Sequence, residues 1–289
     1  MPNATAPPAP SRAAVKRLRT SRAFVLDLDG TLVLGDNSNH GQTPLPGALD
    51  FTRTLSQRGV PFVLFTNGTA RTPQQYLARL CDIGFALPDG AVMTPATSAA
   101  DYFQRHGCRR ILLLGGEGLA TPLRNAGLEV VEPAGTPRVD AVLVGWFREF
   151  TMSALEAGCY AAWNGAKVFS CSQSLYFATA QGRALGTSRA ISAMIRDLTG
   201  ARIHIIGKPS LHALRCAARH MGVRTRELTV VGDDATLELP MALRGGSLAV
   251  AVKTGLGADT SFAALPRRHR PHLIVDDVRQ LLALYKGPS

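Results

Sequence analysis

The chain has little that would tie it to a membrane, an oxidising compartment or a redox cofactor. No apolar run approaches the ~20 residues needed to span a bilayer. The N-terminus lacks the unbroken apolar stretch of a secretory signal, because Arg12, Lys16, Arg17 and Arg19 interrupt its Ala and Pro residues. There are five cysteines, Cys81, Cys108, Cys159, Cys171 and Cys216, an odd number with no Cys-x-x-Cys pair. That usage fits reduced, buried thiols of a cytoplasmic protein and not a disulfide framework. Acids are missing from residues 1–22, which hold five basic groups; Arg267, Arg268 and Arg270 form a second cluster. These eight cations account for most of the net charge of +11 and leave an excess of three for the rest. The positive charge is therefore local. It reads as a solvated, disordered basic arm over residues 1–20 and argues against a nucleic-acid partner. A third glycine is also missing where a dinucleotide turn would need one. Ile111 to Leu114 run into Gly115-Gly116-Glu117-Gly118, but Thr121 follows, so the stretch reads as a strand–helix junction.

What remains is the composition of a soluble globular protein, with 46% hydrophobic and 18% charged residues in 289. That length suits about two domains of roughly 150 residues each. The most informative stretch is Phe24-Val25-Leu26-Asp27-Leu28-Asp29-Gly30-Thr31. Its apolar run suits a buried strand of a parallel sheet, and it stops at two carboxylates. Ligands of open α/β sheets bind beyond the carboxyl ends of strands, so both acids project into a site. Two carboxylates this close repel unless a proton or a cation separates them, and Mg²⁺, which prefers oxygen ligands, is such a cation.

Further polar groups follow strand-like runs along the chain. A helix opening at Pro46-Gly47 ends at Gly59, and Val60 to Phe65 then delivers Thr66-Asn67-Gly68-Thr69. A hydroxyl and successive backbone N–H groups at a strand-to-helix turn suit an anion. Ile203 to Ile206 runs into Gly207-Lys208-Pro209-Ser210, and Leu228 to Val231 into Gly232-Asp233-Asp234, with Glu238 beyond. A lysine can neutralise a carboxylate and a phosphoryl group together. Each of these stretches taken alone also reads as an ordinary turn.

The ordered set, Asp27-x-Asp29-Gly30-Thr31, Thr66-Asn67, Lys208 and Gly232-Asp233-Asp234, resembles the four motifs of the haloacid dehalogenase (HAD) superfamily. Local phrases are similar to its NagD and p-nitrophenyl-phosphatase branch: Pro46-Gly47-Ala48, Phe65-Thr66-Asn67-Gly68, Gly116-Glu117-Gly118-Leu119, Asn164-Gly165-Ala166 and Gly207-Lys208-Pro209-Ser210. The resemblance implies a doubly wound, Rossmann-like parallel sheet from residues 21–94 and 187–289, with an inserted α/β cap over 95–186. It also implies an activity, the Mg²⁺-dependent hydrolysis of small-molecule phosphate monoesters. Asp27 would be the nucleophile that forms an aspartyl-phosphate, and Asp29 the general acid and base. Thr66, Asn67 and Lys208 would hold the phosphoryl oxygens. Mg²⁺ would be bound by Asp27, the backbone carbonyl of Asp29, and Asp233, with Asp234 beside the ion or on it. A homodimer through the cap is a further implication.

Three features depart from the branch. Glu238 stands where the late acid of the fourth motif is usually Asp. Ser172-Gln173-Ser174-Leu175 lacks the Asp of the branch's substrate loop. The polar stretch Gly35 to Pro44 is longer than usual. By position, Ser172 to Phe177 would cover the mouth of the site, with Gln173, Leu175 and Tyr176 selecting the substrate; packing of Leu175, Tyr176 and Phe177 inside the cap is the other reading. Two other functions share these motifs. One is HAD chemistry at a C–P or C–halogen bond, which Asp29 disfavours because an acid there suits an alkoxide leaving group. The other is a metabolite-binding or regulatory protein on the same fold.

Overall fold

The computed structural model describes residues 11–35, 42–179 and 182–287. The chain begins with α1 (Arg12–Arg19), capped by Ser11, whose hydroxyl accepts the Ala14 N–H at 3.1 Å. It continues through β1 (Ala23–Asp27), β2 (Val33–Gly35), β3 (Gln42–Pro44), α2 (Ala48–Gln57) and β4 (Phe62–Phe65). Next come α3 (Pro73–Asp82), β5 (Val92–Met93), α4 (Pro95–Arg105), β6 (Arg110–Leu114), α5 (Glu117–Asn125) and β7 (Glu129–Val131). Then follow β8 (Ala141–Val144), α6 (Met152–Trp163), β9 (Lys167–Ser170), β10 (Tyr176–Thr179), β11 (Gly182–Leu185) and α7 (Thr187–Thr199). The chain closes with β12 (Ile203–Ile205), α8 (Leu211–His220), β13 (Leu228–Gly232), α9 (Glu238–Gly245), β14 (Leu248–Val252), β15 (Leu273–Val275) and α10 (Val278–Lys286).

Two parallel sheets organise these elements. The first has strand order β15-β14-β13-β1-β4-β5, and the second β12-β9-β8-β6-β7. The central strands of the first sheet are buried on both faces, which is why they read as unbroken apolar runs. One core, around Phe24, Phe51 and Tyr285, lies on one face; a second, around Phe65, Leu214 and Met241, lies on the other. Helices on both faces make the sheet doubly wound, as expected.

Three boundaries differ from the sequence expectation. Residues 12–19 are helical and are no part of a disordered tail, although residues 1–10 lie outside those described. Ala14 and Leu18, four apart on one face, are buried against the core, and Leu18 is fully enclosed. Arg17 donates to the carbonyls of Arg226 and Gly246, and Arg19 to that of Leu284 at 2.8 Å, so two of the tail's cations satisfy helix-end carbonyls. The second correction concerns the return to the first sheet. It falls after residue 206 and not at 187, because β12 pairs with β9 and α7 packs on α6. Gly158 of α6 leaves room there for Ile195 of α7. An apolar run says that a strand is buried but not which sheet accepts it. Third, the two ends of the polar Gly35–Pro44 stretch lie in paired strands, since β2 and β3 join antiparallel; residues 36–41 lie outside those described. A second antiparallel pair, β10 with β11, was not anticipated.

Candidate active site

The chemistry-bearing residues meet at the carboxyl edge of the first sheet. Asp27 is the last residue of β1 and sits in register beside Phe65, the last of β4, so Thr66 emerges next to the acids. Asp233 follows β13, which pairs with the other side of β1. Lys208 arrives from the second sheet, three residues after β12, and is buried together with Asp27, Asp233 and Glu238.

The Lys208 ammonium bonds the Asp27 carboxylate and lies 2.6 Å from Glu238 Oε1. The other oxygen of Asp27 accepts from Thr31 Oγ1 at 2.9 Å. Asp27, Asp233 and Glu238 each bring an oxygen to within 4.8 Å of the others. Three enclosed carboxylates thus face a single ammonium. Burial, followed by the charges of Asp27 and Glu238, pushes the Asp233 carboxyl well up, against the Leu256 N–H and Lys208. Burial also pushes Glu238 up, although Lys208 opposes it. The imbalance of charge and the all-oxygen donor set fit a hard divalent cation.

Close backbone approach makes this cluster possible. Gly30 has a φ of +87°, and a Cβ there would run into the Asp233 carboxylate. Gly255, after β14, adjoins Gly30 and meets the same carboxylate oxygen. The Leu256 N–H donates to Asp233 Oδ2 at 2.7 Å, and Thr254 Oγ1 to the Gly30 carbonyl at 2.5 Å. This Thr254–Leu256 support was missed in the sequence. Its only signal is a Thr-Gly pair directly beyond a buried strand.

Asp29 stands outside the three-carboxylate cluster and is exposed. Desolvation by the surrounding protein and then the Asp27 charge raise its pKa, against the Thr66 hydrogen bond and Lys208. Thr66 Oγ1 donates to Asp29 Oδ2 at 3.0 Å and accepts the Gly68 N–H at 2.9 Å. The Asn67 side chain is spent on main chain: it donates to the Lys208 carbonyl at 2.9 Å and accepts the Lys208 N–H at 2.8 Å. It therefore fixes the main chain of Lys208. Asp234 turns into its own loop, accepting from Thr236 N at 2.6 Å and Thr236 Oγ1 at 2.7 Å. The acid that joins the cluster is Glu238, whose role the sequence left open. Gly232 lies flush against its stem, where any Cβ would collide.

The stretch after β9 begins at this site, because the Cys171 carbonyl lies against Gly207 beside Asn67. Gln173 donates to Ser170 Oγ at 2.8 Å, and Arg189 donates to the Gln173 carbonyl at 2.9 Å. Leu175 is 63% exposed, so it does not pack in a core. Tyr176 starts β10. Of the two glycines in Gly116-Glu117-Gly118, Gly118, in the first turn of α5, lies against the main chain of Thr69 to Arg71 with no room for a side chain, whereas Gly116 faces open space.

The chain is similar to known proteins along most of its length. Residues 24–129 match the family described as haloacid dehalogenase-like hydrolase, and residues 205–281 match the HAD-hydrolase-like family. The 5'-nucleotidase YutF of Bacillus subtilis is 28% identical over 240 residues, covering 83% of this chain and 90% of its own. The ribonucleotide monophosphatase NagD of Escherichia coli is 25% identical over 263 residues, covering 91% of this chain and 98% of its own. The crystal structure of a 4-nitrophenylphosphatase from Thermotoga maritima superimposes with a TM-score of 0.81 at 25% identity, over 93% of this chain and 99% of that one.

Proposed function

The chain belongs to the haloacid dehalogenase-like hydrolases, on their NagD-like side, and we propose that within this family it is a Mg²⁺-dependent phosphatase in which Asp27 is the nucleophile. It is a phosphoric monoester hydrolase acting on small-molecule phosphates. The observation that carries the assignment of roles is the convergence of Asp27, Asp233, Glu238 and Lys208 in one buried cluster with Asp29 held beside it by Thr66.

In this reading a phosphate monoester places its phosphoryl group above Asp27, against the Lys208 ammonium and the backbone N–H groups of the Thr66–Gly68 turn. A carboxylate oxygen of Asp27 forms a bond to phosphorus as the ester P–O bond breaks. Asp29 supplies a proton to the departing alkoxide. That proton exchange leaves Asp29 a carboxylate, which then takes a proton from water as the water attacks the aspartyl-phosphate. Inorganic phosphate leaves, and Asp27 is restored. Asp27, Asp233 and Glu238, with the Asp29 carbonyl, would hold Mg²⁺, which when bound neutralises charge on the phosphoryl oxygens. Mg²⁺ is favoured among divalent cations because phosphoryl sites of this kind combine few carboxylates with substrate oxygens.

We assign substrate selection to the second layer and to Ser172–Phe177 in particular. Its start beside Gly207 and the exposure of Leu175 support a loop at the mouth of the site. The exposed Tyr160 and Trp163, paired edge to face at 5.6 Å on α6, support a homodimer through the same layer. The five free cysteines support a cytoplasmic setting.

The test is phosphate release across a panel of monoesters, led by nucleoside monophosphates and sugar phosphates, with Mg²⁺ and with chelator. Turnover that needs the metal and disappears in Asp27→Asn is expected. Release that persists in Asp27→Asn would overturn the nucleophile assignment, and binding without release would favour the regulatory reading.

A further inference from the structure

The turn that carries Thr66 is braced by two residues that the mechanism above does not use. Tyr76 lies on α3 with its ring buried in the core, and its hydroxyl rises against Gly68. A Cβ on Gly68 would run into that hydroxyl and would lie only 3.2 Å from Thr66 Oγ1. Phenol, glycine and threonine hydroxyl thus form one stack. Arg71, half-buried, donates from its side chain to the Tyr76 oxygen. Burial first, then the Asp29 charge, pushes the phenol up to about 12 against the pull of Arg71 and Arg79, so it stays neutral and in place. The turn is gripped from the other side as well. Gly118 presses on the main chain of Thr69, Ala70 and Arg71, and Thr69 Oγ1 accepts the Trp146 N–H at 2.9 Å.

We infer that Tyr76 and Arg71 are positioning residues for the general acid, setting the height of the Thr66–Gly68 turn from which Asp29 is held. The contacts run without a gap. Arg71 holds Tyr76, and Tyr76 supports Gly68. The Gly68 N–H donates to Thr66 Oγ1 at 2.9 Å, and that hydroxyl spends its single proton on Asp29 Oδ2 at 3.0 Å. The amide fixes the hydroxyl rotor, because an oxygen accepting from one side must aim its proton elsewhere. If the turn drops, the rotor is released and Asp29 loses its aim. Proton transfer requires hydrogen-bond reach of the leaving oxygen, and small misplacements of such groups are costly. Neither residue belongs to the cluster of Asp27, Asp233, Glu238 and Lys208. The inference rests on the reading of Asp29 as general acid.

Leaving-group dependence separates a positioning role from a structural one. An alkyl ester such as β-glycerophosphate needs protonation of its alkoxide, whereas p-nitrophenolate departs with little help. Tyr76→Phe keeps the ring and removes only the hydroxyl. We expect it to lower kcat on the alkyl ester by about tenfold and on p-nitrophenyl phosphate by less than about threefold, with KM within about twofold for both. Arg71→Gln should act in the same direction and Arg71→Lys should recover part of the loss. Asp29→Asn, assayed on the same two esters, is the reference. If Asp29→Asn slows both esters equally, the general-acid reading falls and the brace falls with it. If Asp29→Asn discriminates but Tyr76→Phe and Arg71→Gln do not, the brace alone is overturned. A parallel loss on both esters with a lowered melting temperature would likewise overturn it, as core packing.

Discussion

Glu238 and Lys208 form a buried ion pair, 2.6 Å between Oε1 and Nζ, that links the segment after β12 of the second sheet to the start of α9 beside the first. Glu238 begins α9 on the first sheet's side, while Lys208 enters from the end of β12. The pair keeps the ammonium over Asp27 and places a third carboxylate in the cation cluster. Removing one partner of such a pair leaves an uncompensated buried charge. Glu238→Gln should therefore weaken Mg²⁺ binding by at least about tenfold and slow turnover by roughly 10²-fold. Glu238→Asp, which keeps the charge on a stem shorter by one methylene, should fall between. Mg²⁺ titration by calorimetry checks the first claim independently of activity, and unchanged affinity in Glu238→Gln would remove it from the cluster.

Asp27→Asn should abolish turnover while leaving the fold intact, because a covalent route is lost and not one contact. In chelator its melting temperature should match or exceed that of the wild type, since one of three mutually repelling carboxylates becomes neutral. A marked drop in melting temperature would show instead that the Asp27–Lys208 pair dominates the stability of the site.

Turnover should require Mg²⁺, and Ca²⁺ should substitute poorly. Ca²⁺ takes more ligands at longer distances and relaxes the alignment that in-line attack needs. Phosphate release in excess chelator at the full rate would refute a metal role for Asp233 and Glu238.

Substrate preference should respond to Gln173→Ala combined with Leu175→Asp. Leu175 is exposed, so its substitution leaves the core intact. Relative kcat/KM among good substrates should shift by at least about tenfold, roughly 1.4 kcal/mol of differential transition-state binding, with p-nitrophenyl phosphate changing much less. Equal effects on every substrate would place the loop outside selection.

Leu18→Ala should lower the unfolding free energy by about 2–4 kcal/mol, the usual cost of a cavity at an enclosed leucine. Urea denaturation measures it. Since α1 leads into the amino end of β1, opposite the catalytic edge, kcat at low temperature should be preserved. A loss of less than about 0.5 kcal/mol would mean that the helix contributes nothing to the fold.

The linear sequence determined the chemistry that each strand end can offer. Phe24 to Leu26 running into Asp27, Val63 to Phe65 into Thr66, and Val230 to Gly232 into Asp233 are local patterns: a buried strand shows as an apolar run, and the residue where polarity begins is the one that reaches the ligand edge. The doubly wound sheet and most element positions could be read in this way, whereas Asp27, Asp29, Thr66, Lys208 and Asp233 stood out only as an ordered set that resembles a known family. Tertiary structure alone decided what those residues touch. Asn67 is spent on the Lys208 main chain, Asp234 folds back on Thr236, and Glu238 takes the place in the cluster, because partners at long sequence separation leave no trace in local pattern. The same reason hid the partner of β12, an apolar run with two sheets to choose between, and the burial of Leu18, whose helix is short and flanked by cations. Tyr76 could not be singled out either, since its hydroxyl matters only because α3 folds back beneath Gly68. Spacing along a chain encodes which face a side chain occupies. Which two faces meet is settled by packing, when the layers close on one another.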